Sequence, residues 1–362
     1  MKVLQIMNKA DAGGISAVLL RDYQVIDREA VQFDCAMPDT RLGPHGLQFQ
    51  ALGSQIIQLP LKSKHPLQYG KALRRILKEG GYDAVHVNSN ETSFFPLLIA
   101  KSAGIPVRIA HAHTARPPKT LRLKLKRLLS VSLTPRVATK LVAPTTAAAE
   151  CIFGKKARKS PKLVYIKNAV DLSEYRFSEQ WREETRQTLG LEGKFAVCCV
   201  SNLDPVKNHS FSLRVFREVL SRNADARLVL IGDGERREAI RQEAAALGVL
   251  EQVQFLGRRS DVNRLLSGMD AFLMPSLYEG FALAALEAAA CGLPIFLSDT
   301  IPGELKFYTD CTYLSLQAEP KLWAEQICRV SVEDRAQGAK EVLEAGYDLR
   351  QNAAQFASLY RE

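Results

Sequence analysis

At 362 residues, 46% hydrophobic and with ordinary glycine and proline usage, the chain is long enough to bury a large core and to divide into two domains, which excludes a disordered polymer. Lys and Arg number 49 against 39 Asp and Glu, and the resulting formal charge of +10 favours anionic partners (nucleotides, nucleic acid or acidic lipid) without choosing among them. Seven cysteines with no Cys-x-x-Cys pair read as reduced core residues of a cytosolic protein, the opening apolar run is too short for a signal peptide, and no segment approaches the roughly twenty apolar residues of a membrane span.

In chain order, apolar runs of strand length alternate with longer helical patterns. Strands are expected over 3–7, 56–59, 84–87, 107–110, 140–143 and 163–166, the signature of a parallel sheet wrapped by helices. Past Asp171 a charged stretch over 178–186 intervenes, and a second series follows with strands over 195–200, 226–231, 253–256, 271–274 and 295–297. The reading is an α/β protein of two doubly wound, Rossmann-like domains, the first over 1–172 and the second over 173–345, with the boundary near 170–180. A polar-rich final helix within 346–362 could pack on either domain.

In open α/β sheets, ligands bind at the carboxyl ends of strands, where loops turn into helices. The first such turn carries Gly13 and Gly14. Paired glycines permit close approach of a phosphate or sugar to the backbone and to the helix amides that follow, or they simply make a tight turn. The pattern is not Gly-x-Gly-x-x-Gly, so a nicotinamide dinucleotide fingerprint is absent. His111 and His113 stand at the exit of an apolar strand without acidic or thiol partners at ligand spacing, which argues against zinc. His113 is a candidate for contact with a reacting sugar or phosphate and His111 a weaker one, against the commoner role of a structural imidazole. The segment 116–129 is basic and leucine-rich, with Lys124, Lys126 and Arg127 at its centre. It is either a helix with a solvated cationic face or a surface for anionic lipid headgroups.

In the second series, Asn202, Lys207 and Asn208 follow the first strand, where an ammonium and helix amides converge in a manner suited to a diphosphate leaving group. Gly232 and Gly234 shape a pocket or close a turn, and Arg258 lies in a strand-end loop whose backbone could meet a base. The most informative stretch runs from Glu279 to Glu287, two carboxylates eight positions apart bracketing Gly280, Phe281 and an apolar run. One can address a ligand from the loop and the other from the helix, with free amides near Ala282 and Leu283 as an anion site between them. This implies a sugar-nucleotide site. The alternative is an amphipathic helix with a solvated glutamate at each end.

Taken together, Gly13 and Gly14, Ala112 with His113 and Thr114, Asn168 through Asp171, Asp204 with Lys207 and Asn208, Gly232 with Gly234, Phe255 through Gly257, and Glu279 through Glu287 with Gly292 and Pro294 resemble the retaining glycosyltransferases of family four, over most of the chain. The opening is most similar to the branch that builds bacterial exopolysaccharide and capsule repeat units. The resemblance implies the GT-B fold, two Rossmann-like domains facing each other across a cleft. It also implies transfer of a sugar from a nucleotide diphosphate donor, uridine-linked by default, to a saccharide acceptor with retention of configuration and without a metal or other cofactor.

Carried over position by position, the family pattern puts Glu287 on the donor ribose, Glu279 on hydroxyls of the transferred sugar and Lys207 on the diphosphate. The Gly14 amide would approach the phosphates from the first domain, and His113 would lie beside the reacting face. Gly13, Asn202, Gly232, Arg258, Phe281, Ala282 and Leu283 complete the implied donor site. Two positions depart from the pattern. Ser201 and Asn202 stand where the family usually has glycine and arginine, removing one cation from the phosphate site, and Ala282 stands where glycine is common. The resemblance also implies a polyprenyl-diphosphate-linked saccharide as acceptor, which would bring the first domain to the inner face of the plasma membrane. Two other readings stand beside it: a catalytically impaired sugar-nucleotide-binding subunit, motivated by Asn202, and a nucleic-acid-binding protein, motivated by charge alone and opposed by the absence of aromatics among the basic residues.

Overall fold

The structure, a computed structural model, describes every residue except 11–13, 39–41, 114–120, 332–333 and 362, and the side chains at 122, 123 and 126 also lie outside it. The chain forms two compact units, one of residues 1–169 with 349–362 and one of residues 170–348.

The first unit contains β1 (Lys2–Ile6), α1 (Gly14–Val25), β2 (Gln32–Met37), α2 (Pro44–Ala51), β3 (Ile56–Gln58), α3 (Pro66–Glu79), β4 (Ala84–Val87), α4 (Phe94–Ser102), β5 (Val107–His111), α5 (Leu121–Val137), β6 (Lys140–Ala143), α6 (Thr146–Phe153) and β7 (Leu163–Tyr165). Among the described residues its strands form one seven-stranded sheet in the order β3-β2-β1-β4-β5-β6-β7, and every pairing is parallel. Both faces are covered, which is why the central strands are largely apolar, broken only by residues such as Gln5 in β1, His86 in β4 and Arg108 in β5. Alternate residues go to opposite sides: Leu4 and Val85 pack with Leu97, while Val3, Phe33 and Leu19 pack on the other face.

The second unit contains α7 (Glu179–Leu189), β8 (Phe195–Val200), α8 (His209–Leu220), β9 (Ala226–Ile231), α9 (Arg237–Ala246), β10 (Val253–Gly257), α10 (Val262–Ser267), β11 (Ala271–Met274), α11 (Leu283–Ala290), β12 (Ile295–Ser298), β13 (Cys311–Leu314), α12 (Pro320–Cys328) and α13 (Ala336–Glu344). Its sheet runs β10-β9-β8-β11-β12-β13, again all parallel. The last helix, α14 (Leu349–Ser358), belongs to the first unit. Phe356 and Tyr360 meet Phe33 edge to face, at centroid distances of 6.4 and 5.6 Å.

Two strands lie outside the sequence expectation. β2 carries Asp34 among apolar neighbours, and the carboxylate is buried because Tyr82 Oη and the Gln55 amide both donate to it at 2.9 Å and Lys2 Nζ lies 3.2 Å away. β13 is a half-buried edge strand, so its apolar signal is weak. In each unit the strand order reverses beside the first strand, between β1 and β4 and between β8 and β11. That is where the loops diverge and a ligand crevice opens.

Candidate functional site

In the second unit the loops leaving β8 and β11 flank this reversal and are knitted together. The Leu277 amide donates to Val206 O at 2.8 Å, and Asn208 Nδ2 donates to Pro275 O at 3.1 Å. Asp204 caps the short turn Pro205–Lys207 by accepting from the Val206 and Lys207 amides at 3.0 and 3.3 Å, which aims the lysine along the crevice. Lys207 Nζ then donates to Glu279 Oε1 at 2.6 Å, between side chains only 21% and 11% exposed. Residues 72 apart in sequence thus form one charge pair, with two ammonium hydrogens left for another acceptor. Asn208 takes a left-handed conformation, φ +57°, and α8 begins at once. The His209 and Ser210 amides donate to no backbone acceptor and supply the positive end of that helix beside Lys207.

Glu287 is buried on α11, one turn past Leu283. The amides at the start of α11 differ from the sequence expectation. Leu283 N already donates to Phe281 O at 3.0 Å, so the amides without a backbone acceptor are those of Ala282 and Ala284. The reason is local: Ala282 has no capping side chain, and the backbone closes a tight turn on itself. Phe281 is half-buried, 5.9 Å from the Tyr347 ring.

Gly232 and Gly234 are required by packing. A Cβ at Gly232, where φ is +141°, would come within 1.9 Å of Ser201 O, and one at Gly234 within 2.5 Å of Leu203 O. The two loops are pressed backbone to backbone, and Asn202 is exposed on one of them. Arg258 is exposed in the loop after β10. Arg236, which the sequence reading did not single out, donates from its guanidinium to Ser210 Oγ at 3.4 Å in the first turn of α8 and pairs with Glu243 at 2.6 Å. Gly292 likewise has a packing reason, since Arg335 O would lie 2.1 Å from a Cβ there.

In the first unit, Gly13 and Thr114 lie outside the described residues. Gly14 opens α1, and among the described residues no protein atom would lie within 4 Å of a Cβ there, so protein packing does not demand glycine at this position. The ends of β1, β4 and β5 and the residues that follow β4 and β5 hold a polar network. Gln5 Nε2 donates to Tyr360 Oη at 3.0 Å, and Tyr360 Oη and His86 Nδ1 share a hydrogen bond at 2.8 Å. His86 Nε2 and His111 Nδ1 share a hydrogen bond at 3.1 Å, one ring donating to the other. Asn88 donates from Nδ2 to Gln5 Oε1 at 2.9 Å and presents Oδ1 to His113 Nε2 at 2.8 Å. The network assigns His113 as the Nε2–H tautomer, leaving an Nδ1 lone pair for a ligand. Its amide is held by Asn90 Oδ1 at 2.8 Å. Burial pushes His86 and His113 down to about 3, and His111 well below the ordinary imidazole value.

Asp22 lies with Arg21, His111 and Lys167 around a hollow of about 10 Å³, where burial raises its carboxyl to about 8 and the Arg21 charge offsets part of that. These shifts set a stability profile. The unfolded imidazoles bind protons below pH 6.5 while buried His86 and His111 do not, so stability is lost as pH falls below 6.5, at about 1.4 kcal/mol per unit for each. Asp22 acts in the opposite sense: the native carboxyl keeps its proton up to about pH 8 while the unfolded one releases it near 3.8, so stability falls as pH rises across that window. The first unit is therefore expected to be most stable near pH 6.5 and to lose on the order of 1 kcal/mol between there and pH 8, the Asp22 loss being partly offset as the last unfolded imidazoles deprotonate. Urea unfolding followed from pH 4.5 to 8.5 checks this, and Asp22→Asn should abolish the alkaline loss alone.

Helix α5 presents Leu121, Leu125, Leu128 and Leu129 at exposures of 74, 56, 66 and 60%, a spacing that puts them on one face. Lys124 is exposed and Arg127 half-exposed beside them. The side chain of Lys126 and residues 116–119 lie outside the described residues. Among the described residues no helix is long and apolar enough to cross a membrane, and no cluster of three His, Cys, Asp or Glu side chains could hold a metal ion.

Comparison with known proteins converges on one description. Residues 181–351 match the family of glycosyl transferases group 1, and residues 13–169 match the glycosyl transferase 4-like domain. The putative glycosyltransferase EpsF of Bacillus subtilis is 30% identical over 368 residues, covering 99% of this chain and 96% of that protein. The UDP-Gal:alpha-D-GlcNAc-diphosphoundecaprenol alpha-1,3-galactosyltransferase of Escherichia coli is 27% identical over 234 residues, 63% of this chain and 60% of its own length. Among solved structures, Anabaena HepE in complex with UDP and glucose superposes with a TM-score of 0.82 at 19% identity, over 99% of this chain and 98% of that one. WaaG, a glycosyltransferase involved in lipopolysaccharide biosynthesis, does so at 0.71 and 18%, over 99% of each chain. These likenesses establish the fold class as GT-B.

Proposed function

Given that the chain belongs to the group 1 glycosyl transferases with a glycosyl transferase 4-like first domain, we propose that it moves a hexosyl or N-acetylhexosaminyl group from a uridine diphosphate sugar to a lipid-linked saccharide, with retention of configuration, in bacterial exopolysaccharide or capsule synthesis. The observation that carries this is the Lys207–Glu279 pair at the strand reversal, with buried Glu287 on α11. An ammonium and the free amides at the starts of α8 and α11 match a diphosphate, and two carboxylates match the hydroxyls on either side of it. On this reading Glu287 accepts from the ribose hydroxyls, Glu279 from the sugar, and Lys207 stabilises the charge that grows on the departing diphosphate. The departing phosphate takes the acceptor proton, and neutral His113 offers its lone pair to a sugar hydroxyl. No divalent metal is needed where cation and amides neutralise the diphosphate. Arg236, which precedes α9, reaches Ser210 in the first turn of α8 while pairing with Glu243, and is the cation this reading offers in place of the arginine that Asn202 replaces.

A panel of nucleotide sugars tested for protection against thermal unfolding reports the donor, since a ligand at a hundredfold its dissociation constant stabilises by about 2.7 kcal/mol. Turnover of the protecting donor, with the anomeric outcome read by NMR, separates a transferase from a binding subunit. Protection by no nucleotide sugar would overturn both.

The leucine face of α5 with Lys124 and Arg127 supports peripheral docking on anionic lipid at the inner face of the plasma membrane. Lys124→Glu with Arg127→Glu is expected to reduce sedimentation with phosphatidylglycerol vesicles at least tenfold, at about 1 kcal/mol of attraction per basic residue near the surface. Turnover of a soluble acceptor should be unchanged. Equal sedimentation of variant and parent would remove the docking surface.

A further inference from the structure

We propose that a cavity in the first unit, beside α5, is a subsite for the prenyl chain of the acceptor; this rests on the lipid-linked acceptor proposed above. The cavity holds about 440 Å³, within the roughly 300–1,000 Å³ of small-molecule sites. It lies at the carboxyl ends of β1 and β4, with Leu59, Leu61, Tyr69, Phe94, Phe95 and Leu129 as its apolar lining and polar residues such as Asn8, Lys62 and Glu91 beside them. The Tyr69 hydroxyl is buried and has no partner among the described residues.

Two features choose a hydrocarbon chain over a saccharide. The lining is mixed: beside the leucines and phenylalanines stand Lys62, Glu91, Thr92 and Ser130, of which Lys62, Thr92 and Ser130 already bond to Thr92 O, Ser89 O and Thr134 Oγ1. A sugar ring needs a hydrogen-bond partner for nearly every hydroxyl it buries, and the uncommitted polar groups of this lining are fewer than that. Leu129 belongs both to the cavity lining and to the exposed leucine face of α5, so the cavity is continuous with the surface that would meet the bilayer, where Lys124 and Arg127 match anionic headgroups. Ser89, also in the lining, lies between Asn88 and Asn90, the two residues that hold His113. A prenyl diphosphate lying along this path has its tail toward α5 and its polar head toward His113.

Isothermal titration of the full chain without vesicles, below the micelle threshold of each probe, tests the assignment with geranyl diphosphate, farnesyl diphosphate, inorganic diphosphate and uridine diphosphate. Farnesyl diphosphate should bind at least tenfold more tightly than geranyl diphosphate and should not be displaced by uridine diphosphate. Leu61→Glu and Leu129→Glu replace side chains that are 42% and 60% exposed, so the new charge stays in water in the free protein. Each should weaken farnesyl diphosphate tenfold or more and leave uridine diphosphate affinity unchanged. Equal affinity for the three non-nucleotide diphosphates, displacement by uridine diphosphate, or full affinity in both variants would overturn the subsite. Binding of a methyl glycoside at the cavity in place of the prenyl probe would do the same. Failure of uridine diphosphate alone to bind overturns the donor reading and leaves the cavity result standing.

Discussion

Glu287→Ala is expected to lower kcat/KM for the nucleotide sugar by about a hundred- to a thousandfold, or roughly 3–4 kcal/mol of lost interaction. The side chain is 5% exposed on a helix otherwise built of alanine and leucine, so nothing nearby on α11 can take over its role. A carboxylate that accepts from two ribose hydroxyls makes two charge-assisted bonds, each worth about 1.5–3 kcal/mol, and truncation leaves both hydroxyls facing methyl groups. Because these bonds form in ground and transition state alike, most of the loss should fall on KM and on nucleotide affinity by calorimetry. Glu287→Gln keeps the shape and one acceptor and should lose only about tenfold. Nucleotide-sugar affinity unchanged in the alanine variant would refute the donor clamp.

Lys207→Ala should act differently, with a fall in kcat of about 10²–10³, because the charge on the leaving diphosphate is greatest in the transition state. It should also destabilise the second unit by about 1–3 kcal/mol, since Glu279, 11% exposed and bonded to the ammonium at 2.6 Å, is left without its cation. The two effects are separable. In the double variant Lys207→Met with Glu279→Gln, stability should return to within about 1 kcal/mol of the parent while turnover stays lost. If Lys207→Ala retained kcat yet was destabilised, the pair would be a structural salt bridge and the diphosphate would be held elsewhere.

The two sheets were legible because parallel strands covered on both faces leave mostly apolar runs, unbroken in β8 and β11 and interrupted by single polar residues in β1, β4, β5 and β9. β2 was hidden because a satisfied buried carboxylate looks like a loop residue in sequence, and β13 because an edge strand is only half covered. The stretch from Glu279 to Glu287 could be picked out because its residues are local: a strand end, a glycine and a helix start lie within a dozen positions. The occupied amide of Leu283 could not be, because a two-residue backbone bond depends on dihedral angles that alanine and leucine leave open. Nor could Gln5, Asn88 and Tyr360, each an ordinary polar residue in its own segment, or Arg236, whose partner Ser210 lies on another helix.

The amino-acid sequence by itself determined the two-unit α/β architecture and the family, since periodicity and short motifs are encoded among near neighbours in the chain. Tertiary structure alone decided that Lys207 meets Glu279, that Gly232 and Gly234 serve loop packing, that His113 is held as one neutral tautomer, and that a cavity adjoins α5. Each of these depends on groups from different strands, and only the closing of each sheet brings such groups within hydrogen-bonding or van der Waals distance.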